Sequence, residues 1–197
     1  MYKDPPPRDR INSFALVTYI PEPLAGFLDR LRQELVPNCF LRAHVTILPP
    51  RPLFSTSEAA WGLISALAPR FAPFEVELSD VDVFPISDVI YVNVQQGSEE
   101  LKSMHDAFSI DGLRLQEPFP YQPHVTLAQE LQTDELDELI SVARARWNEF
   151  PHAKSFLVEK VVFVQNTRRN DWIDLGESML GHSDSKLVGE LTDVLAG

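Results

Sequence analysis

The sequence predicts an α+β fold of two lobes that are related by a pseudo-twofold axis. One observation behind this prediction is the apolar periodicity, which gives the order strand, helix, strand, helix, strand, strand twice along the chain. The other is the tripeptide His-Val-Thr, which occurs once in each half, at the third element of that half. A low-identity internal duplication explains both observations.

The first half begins with a strand and a helix whose patterns are clear. Residues 12–20 are mostly apolar and β-branched, as in a buried strand, and residues 24–35 carry leucines at helical spacing. Residues 40–48 form the next predicted strand, which we expect Pro49 and Pro50 to end because proline cannot continue a ladder. The remaining predicted elements of this half are a helix at 57–67 and strands at 74–78 and 81–84.

The second half repeats this order. A strand at 89–94 leads into a helix at 98–108, whose first turn contains Glu99 and Glu100, where the helix dipole favours acidic side chains. The further predicted elements are a strand at 121–129, a helix at 133–147 and strands at 156–164 and 172–175.

The length of 197 residues fits one domain of this kind. We expect a single bilobal catalytic domain at 1–180, with lobes at about 12–84 and 88–175 that can exchange strands, and a C-terminal tail at 181–197. The 17 Lys and Arg residues against 29 Asp and Glu residues give a net charge of −12, which disfavours the binding of long RNA. Cys39 is the one cysteine, and no apolar run approaches the ~20 residues of a membrane span, so we expect a cytoplasmic protein without membrane contact. We also expect it to be a monomer.

The two His-Val-Thr tripeptides are the strongest chemical signal in the chain. Roughly 0.2 His-x-Thr triplets are expected by chance in a chain with this histidine content. Because side chains at i and i+2 of a strand share a face, His44 points with Thr46 and His124 points with Thr126. If the pseudo-twofold axis holds, the two His-Thr faces meet across a cleft between the lobes.

Two facing histidines suit phosphodiester chemistry without a metal ion. A neutral imidazole accepts a proton from the attacking water, and a protonated imidazole donates one to the leaving ribose oxygen. Both forms are accessible near neutral pH, since unperturbed histidine titrates near pH ~6.5. The threonine hydroxyls can donate hydrogen bonds to the non-bridging phosphate oxygens, where negative charge accumulates.

At these residues the chain resembles the 2H phosphoesterase superfamily, which includes the bacterial 2′-5′ RNA ligase-like proteins. The signature of that superfamily is two His-x-Thr/Ser-x-hydrophobic motifs. The resemblance implies a bilobal fold with two antiparallel sheets facing across a cleft and helices outside. It also implies metal-independent hydrolysis, or reversible ligation, of cyclic phosphates or 2′-5′ linkages without a cofactor. By motif match, His44 and His124 would be the catalytic acid–base pair, in an order that stays open, and Thr46 and Thr126 would bind the phosphate.

One position departs from the pattern of this superfamily. Gln129 stands five residues after the second motif histidine, where many members have Arg or Lys. Together with the net charge, this difference favours a small nucleotide or a short oligonucleotide as the substrate.

Other residues are weaker candidates for lining the cleft. Further candidates for lining it are Arg42, Tyr121 and Arg168. We expect Arg51 at the surface, and we expect the remaining histidines, His105, His152 and His182, to be structural or exposed because no metal-ligand spacing joins them. No metal ion is therefore expected.

Two other functional classes stay open. An intact fold can serve as a non-catalytic sensor that binds a nucleotide in the same cleft, because a fold does not fix a function. The other class is metal-dependent hydrolysis, which would be abolished by EDTA.

Overall fold

The computed structural model describes residues 9–131 and 135–181. Within them the chain forms eight strands and four α-helices, joined in places by short 3₁₀ turns. In chain order these are β1 (Arg10–Tyr19), α1 (Leu24–Leu35), β2 (His44–Arg51), α2 (Ser57–Leu67), β3 (Phe74–Phe84), β4 (Val89–Gln96), α3 (Ser98–Phe108), β5 (His124–Ala128), α4 (Leu136–Glu149), β6 (Ser155–Val158), β7 (Lys160–Thr167) and β8 (Trp172–Met179). No helix among the described residues is both long enough and apolar enough to cross a bilayer.

The strands pair into two four-stranded antiparallel sheets. One sheet has the order β2-β1-β7-β8 and the other the order β5-β4-β3-β6. Each motif strand is therefore an edge strand that pairs with the first strand of its own half, and the two orders match under a pseudo-twofold axis. The predicted α+β fold with two antiparallel sheets is confirmed.

The two sheets do not follow the predicted lobe boundaries at 12–84 and 88–175. Strand β3 of the first half lies between β4 and β6, while β7 and β8 of the second half extend the sheet that contains β1. The predicted strand at 156–164 is interrupted at Glu159, and its two parts join different sheets. Strand exchange between the halves therefore occurs. The division into a domain and a tail stays a prediction, and residues 182–197 lie outside the described part of the chain.

The prediction that Pro49 and Pro50 end the first motif strand is wrong. Strand β2 runs through Pro49 and Pro50 to Arg51. Because β2 is an edge strand, a residue without an N–H can be accommodated on its open side. The strands predicted separately at 74–78 and 81–84 are likewise one strand, β3, whose pairing with β4 is irregular between Leu78 and Val81.

The helices connect the two halves in a reciprocal way. Helix α1, which follows β1, packs against β5 of the other sheet. Helix α3, which follows β4, packs in the same way against β2. Their buried faces and the inward residues of both sheets form one continuous apolar core. The helix predicted at 133–147 is observed as α4 at Leu136–Glu149, and residues 132–134 lie outside the description. The two motif strands are consequently held against one another by the helix of the opposite half.

Candidate active site

The two motif strands present the same pattern of burial. In β2 the side chains of His44 and Thr46 are half-buried, and in β5 the side chains of His124 and Thr126 are half-buried in the same way. The intervening aliphatic residues, which are Val45 and Ile47 in β2 and Val125 and Leu127 in β5, are buried in the core. All four motif residues line one cleft, as strand parity predicts.

The two histidine rings are held by equivalent hydrogen bonds. The Nδ1 atom of His44 lies 2.7 Å from the carbonyl oxygen of Arg42, and Nδ1 of His124 lies 2.7 Å from the carbonyl oxygen of Gln122. A carbonyl oxygen only accepts hydrogen bonds, so Nδ1 carries the proton in both neutral rings. Each Nε2 atom therefore keeps a lone pair that can accept a proton.

Both histidines are poorer bases than a solvated imidazole. Burial lowers the pKa of His44 to about 4, and the Arg32, His124 and Arg42 charges add to that effect against the opposing hydrogen bond to the Arg42 carbonyl. Burial also lowers the pKa of His124. Both rings are therefore neutral near pH 7 in the unliganded protein, and a bound anion would favour their protonated forms.

A polar cluster supports the His44 side of the cleft. Asp174 on β8 accepts a hydrogen bond from the Tyr19 hydroxyl at 2.6 Å and pairs with the Arg42 guanidinium at 3.0 Å. The guanidinium carbon lies 3.5 Å from the centroid of the Tyr19 ring, which in turn meets the His44 ring edge to face at 6.5 Å. Burial, followed by the bond to Asp174, raises the pKa of Tyr19, so this hydroxyl stays protonated. Arg42, a candidate from the sequence, lines the cleft as part of this cluster.

The His124 side is aromatic where the His44 side is charged. The ring of His124 makes edge-to-face contacts with Phe84 at 5.0 Å and Tyr91 at 5.4 Å. At the position equivalent to Arg42 stands Gln122, whose amide donates to the Tyr91 hydroxyl at 3.4 Å and to Asn93 Oδ1 at 3.3 Å. The duplicated histidines therefore lie in environments of different charge.

A buried arginine that the sequence analysis missed adds to this asymmetry. Arg32 on α1 is 3% exposed and lines the cleft, and its Nη1 donates to the carbonyl oxygens of Leu41 at 3.3 Å and Arg42 at 3.4 Å. Its Nε has no hydrogen-bond partner among the described residues. The Arg42 carbonyl thus receives hydrogen bonds from both Arg32 and His44. The signal in the sequence was the position of Arg32 four residues after Leu28, on the buried face of the helix.

Tyr121 lines the cleft, but most of its contacts are structural. Its ring stacks on His105 at 4.1 Å, and its hydroxyl donates to the carbonyl oxygen of Thr46 at 2.7 Å. His105 is itself buried, with Nδ1 at 2.8 Å from the carbonyl oxygen of Ile47. The network therefore fixes the segment before β5 to the first motif strand.

The expectation of a surface position for Arg51 is wrong. Its side chain is 2% exposed, with Nη2 at 2.6 Å from Glu117 Oε1. Its other nitrogens donate to the carbonyl oxygens of Leu113 and Pro49 at 2.7 and 2.9 Å. Burial is tolerated because each part of the guanidinium has a partner.

Arg168 does not line the cleft, although the sequence made it a candidate, and its neighbour Arg169 does. Both residues lie in the tight turn between β7 and β8, where the Arg168 N–H donates to the Asp9 carbonyl at 2.8 Å. Adjacent side chains in such a turn point in different directions, so only one of the pair reaches the cleft. Of the other histidines, His152 is exposed outside the cleft, and His182 lies outside the described residues.

The cleft is large and close to electrically neutral. Its volume is about 1870 Å³, and residues from both sheets line it. Among the described residues, its charged lining consists of four cationic side chains, Arg32, Arg42, Lys102 and Arg169, and four acidic ones, Glu117, Glu130, Asp171 and Asp174. The cleft is therefore less negative than the whole chain with its net charge of −12. No group of three or more potential metal ligands occurs among the described residues.

Comparisons with known proteins identify relatives of this chain. A predicted phosphoesterase of Bacillus pumilus is 25% identical over 138 residues, covering 68% of this chain and 79% of its own. One from Halalkalibacterium halodurans is 20% identical over 163 residues, covering 81% of this chain and 92% of its own.

Among solved structures, Escherichia coli LigT in complex with phosphate matches at a TM-score of 0.58 and 17% identity, covering 88% of this chain and 99% of LigT. LigT in complex with 3′-AMP matches at a TM-score of 0.59 and 17% identity, covering 87% of this chain and 100% of LigT. These likenesses show that the fold is shared. The family model of the 2′-5′ RNA ligase superfamily matches residues 20–170, which include both His-Val-Thr motifs. The chain therefore belongs to the 2′-5′ RNA ligase superfamily, within the 2H phosphoesterases that its two motifs had indicated.

Proposed function

We propose that the protein is a metal-independent phosphodiesterase, able in principle to run in reverse as a ligase. Its substrates would be nucleotides or short oligonucleotides with a cyclic phosphate or a 2′-5′ linkage. The observation that supports this proposal best is the pair of equivalently held imidazoles in one cleft, each with Nδ1 bonded to a carbonyl at 2.7 Å and Nε2 left as a base. The phosphate complex of LigT is consistent with an anion in a cleft of this fold.

The chemistry requires one proton acceptor and one proton donor. On a cyclic phosphate, a water molecule loses a proton to the first imidazole and bonds to phosphorus, while the ribose oxygen leaves with a proton from the second. On a 2′-5′ linkage, the vicinal 3′-hydroxyl takes the place of water, the 5′-oxygen leaves protonated, and a 2′,3′-cyclic phosphate remains. The hydroxyls of Thr46 and Thr126 would donate to the non-bridging oxygens in both cases.

The different surroundings of the two histidines suggest which one acts as the base. The positive charges of Arg32 and Arg42 oppose protonation of His44, whereas His124 is flanked by the rings of Phe84 and Tyr91. A phosphate bound between them would therefore be expected to draw a proton to His124 first. We assign His44 as the base and His124 as the acid in the direction of hydrolysis.

Turnover by EDTA-treated protein tests the proposal. The substrates are 2′,3′-cyclic mononucleotides and 2′-5′ dinucleotides, and chromatography measures the product. We expect the rate of conversion to fall roughly 10²- to 10⁴-fold in His44→Ala and in His124→Ala. Thr46→Val and Thr126→Val should each lose about 10²-fold or more. His152→Ala, a histidine outside the cleft, is the matched control and should keep full activity.

The alternative functions give different results in the same assay. Tight nucleotide binding without any product would identify a non-catalytic sensor that uses the same cleft. Loss of activity after EDTA treatment, restored by a divalent cation, would identify metal-dependent hydrolysis instead.

A further inference from the structure

Three large apolar side chains stand exposed at the mouth of the cleft. Phe40 is 75% exposed, Ile86 is 77% exposed and Phe119 is 55% exposed, and all three line the cleft. They belong to three separate connections, before β2, between β3 and β4, and before β5. Apolar side chains that stay in water contribute no free energy of burial to folding. The grouping of three such side chains at one cleft therefore indicates that a ligand covers them.

One of the two aromatic members of this group precedes each motif histidine by a similar number of residues. Phe40 precedes His44 by four residues, and Phe119 precedes His124 by five. Each stands on the segment that leads into the motif strand of its own half. Each half of the chain therefore contributes one exposed aromatic ring to the cleft, on the segment before its own motif histidine.

The size and the charge of the cleft limit what these two rings can bind. A volume of about 1870 Å³ exceeds the roughly 300–1,000 Å³ of a pocket for one drug-sized ligand. Its four cationic and four acidic lining residues balance, so the cleft offers no excess of positive charge for a chain of phosphates. The volume leaves room for two flat groups, and the balanced lining disfavours a ligand with several phosphates, so both fit a ligand with two bases and no more than one phosphodiester.

We propose that the preferred ligand is a linear dinucleoside monophosphate. Its phosphate lies between His44 and His124, one base stacks on Phe40 and the other base stacks on Phe119. This inference rests on the proposed function, and it selects the linear 2′-5′ substrate over a cyclic mononucleotide, which has only one base to stack. Ile86 contributes apolar contact at the same mouth.

Binding of an uncleavable dinucleoside tests the inference without relying on turnover. The probe is 3′-deoxyadenylyl-(2′→5′)-adenosine, which lacks the vicinal hydroxyl, and its dissociation constant is measured by isothermal titration calorimetry. Phe40→Ala and Phe119→Ala should each weaken binding by roughly 5- to 150-fold, the range expected for the loss of one base stack. The matched control is Phe54→Ala, which removes a ring that is 83% exposed but outside the cleft and should leave binding unchanged.

A one-base probe separates two stacking sites from one. We expect the unmodified protein to bind 3′-deoxyadenosine 2′-(methyl phosphate) more weakly than it binds the dinucleoside. Only one of the two substitutions should weaken this binding further. The inference is overturned if neither substitution weakens the dinucleoside more than Phe54→Ala does. It would also be overturned if the unmodified protein bound the two probes with equal affinity. The same holds if both variants lost affinity for the one-base probe equally.

The inference and the proposed function can fail separately. The expected binding pattern without cleavage of the ordinary 2′-5′ dinucleotide would refute the enzymatic role and leave the two-base site standing. Efficient hydrolysis of cyclic mononucleotides, combined with no binding of the dinucleoside at millimolar concentration, would refute the two-base site and leave the enzyme standing.

Discussion

Replacing Arg32 with methionine should raise the pKa of His44. Arg32 Nη1 and His44 Nδ1 bond the same carbonyl oxygen, that of Arg42, at 3.4 and 2.7 Å, so the two nitrogens are at most about 6 Å apart. At an effective dielectric constant of about 20, two unit charges at this distance repel by about 3 kcal/mol, equivalent to about two pKa units. Burial, the largest cause of the low value, remains after the substitution. The expected pKa therefore rises from about 4 by roughly one to two units.

The measurement is an NMR titration of the histidine ring signals in the unliganded protein. His124 serves as the internal reference, because burial lowers its pKa without a contribution from Arg32. Arg32→Lys is the matched control, since it keeps a positive charge on α1 and should hold the pKa of His44 close to its original value. Circular dichroism establishes that the variants keep their fold.

Two results would refute this reasoning. If the pKa of His44 stays near 4 in a folded Arg32→Met protein, the charge of Arg32 does not act on this imidazole. If Arg32→Lys raises the pKa as much as Arg32→Met does, the effect comes from packing and not from charge. Either result would also remove the contribution of Arg32 to the assignment of His44 as the base.

Three further predictions concern stability and are checked by urea denaturation. Arg51→Met should lower the free energy of unfolding by about 3–5 kcal/mol because it removes the guanidinium partner of the partly buried Glu117 and leaves only His105 Nε2 at 3.7 Å, whereas Lys160→Met, at an exposed ion pair, should cost at most ~1 kcal/mol. Similar losses in the two variants would contradict this. Acidification from pH ~6.5 to ~4 should lower the free energy of unfolding through His44, because the unfolded imidazole binds a proton in that window and the folded one does not. His44→Gln should therefore flatten the pH dependence by roughly 1–3 kcal/mol, and an unchanged slope would count against the low pKa. Gly97→Ala should cost more than ~1 kcal/mol, since φ is +83° and a Cβ would lie 2.7 Å from a backbone oxygen. Gly62→Ala in α2, where nothing lies within 4 Å, should be neutral or stabilising.

The motif faces were predictable because they depend on local periodicity. Strand parity alone places His44 with Thr46 and His124 with Thr126, and the structure puts all four on one cleft. Helices α1, α2 and α3 were predicted with the bounds that are observed, because their apolar spacing and flanking breakers are local signals.

The charged surroundings of the motifs were not predictable, because they depend on residues that are distant in the sequence. The Tyr19 hydroxyl bonds Asp174, 155 residues away, and Arg51 bonds the carbonyl of Leu113, 62 residues away. Reading Arg51 as a surface residue followed from the usual exposure of arginine, which fails where a carboxylate and two carbonyls converge on one guanidinium. The change of sheet at Glu159 was likewise not predicted, because the apolar residues on both sides of Glu159 and Lys160 continue the same strand pattern.

The exchange of strands between the halves has a consequence for how the chain folds during synthesis. In the sheet that carries His44, β1 pairs with β7, and Val17 lies opposite Val162. Until residues 160–167 have been synthesised and have left the ribosome, one whole side of β1 has no hydrogen-bonding partner, and such an edge is open to wrong pairing with another chain. Pairing over so long a separation also slows folding. His44, although it lies early in the chain, therefore has a complete sheet around it only after β7 and β8 have been synthesised.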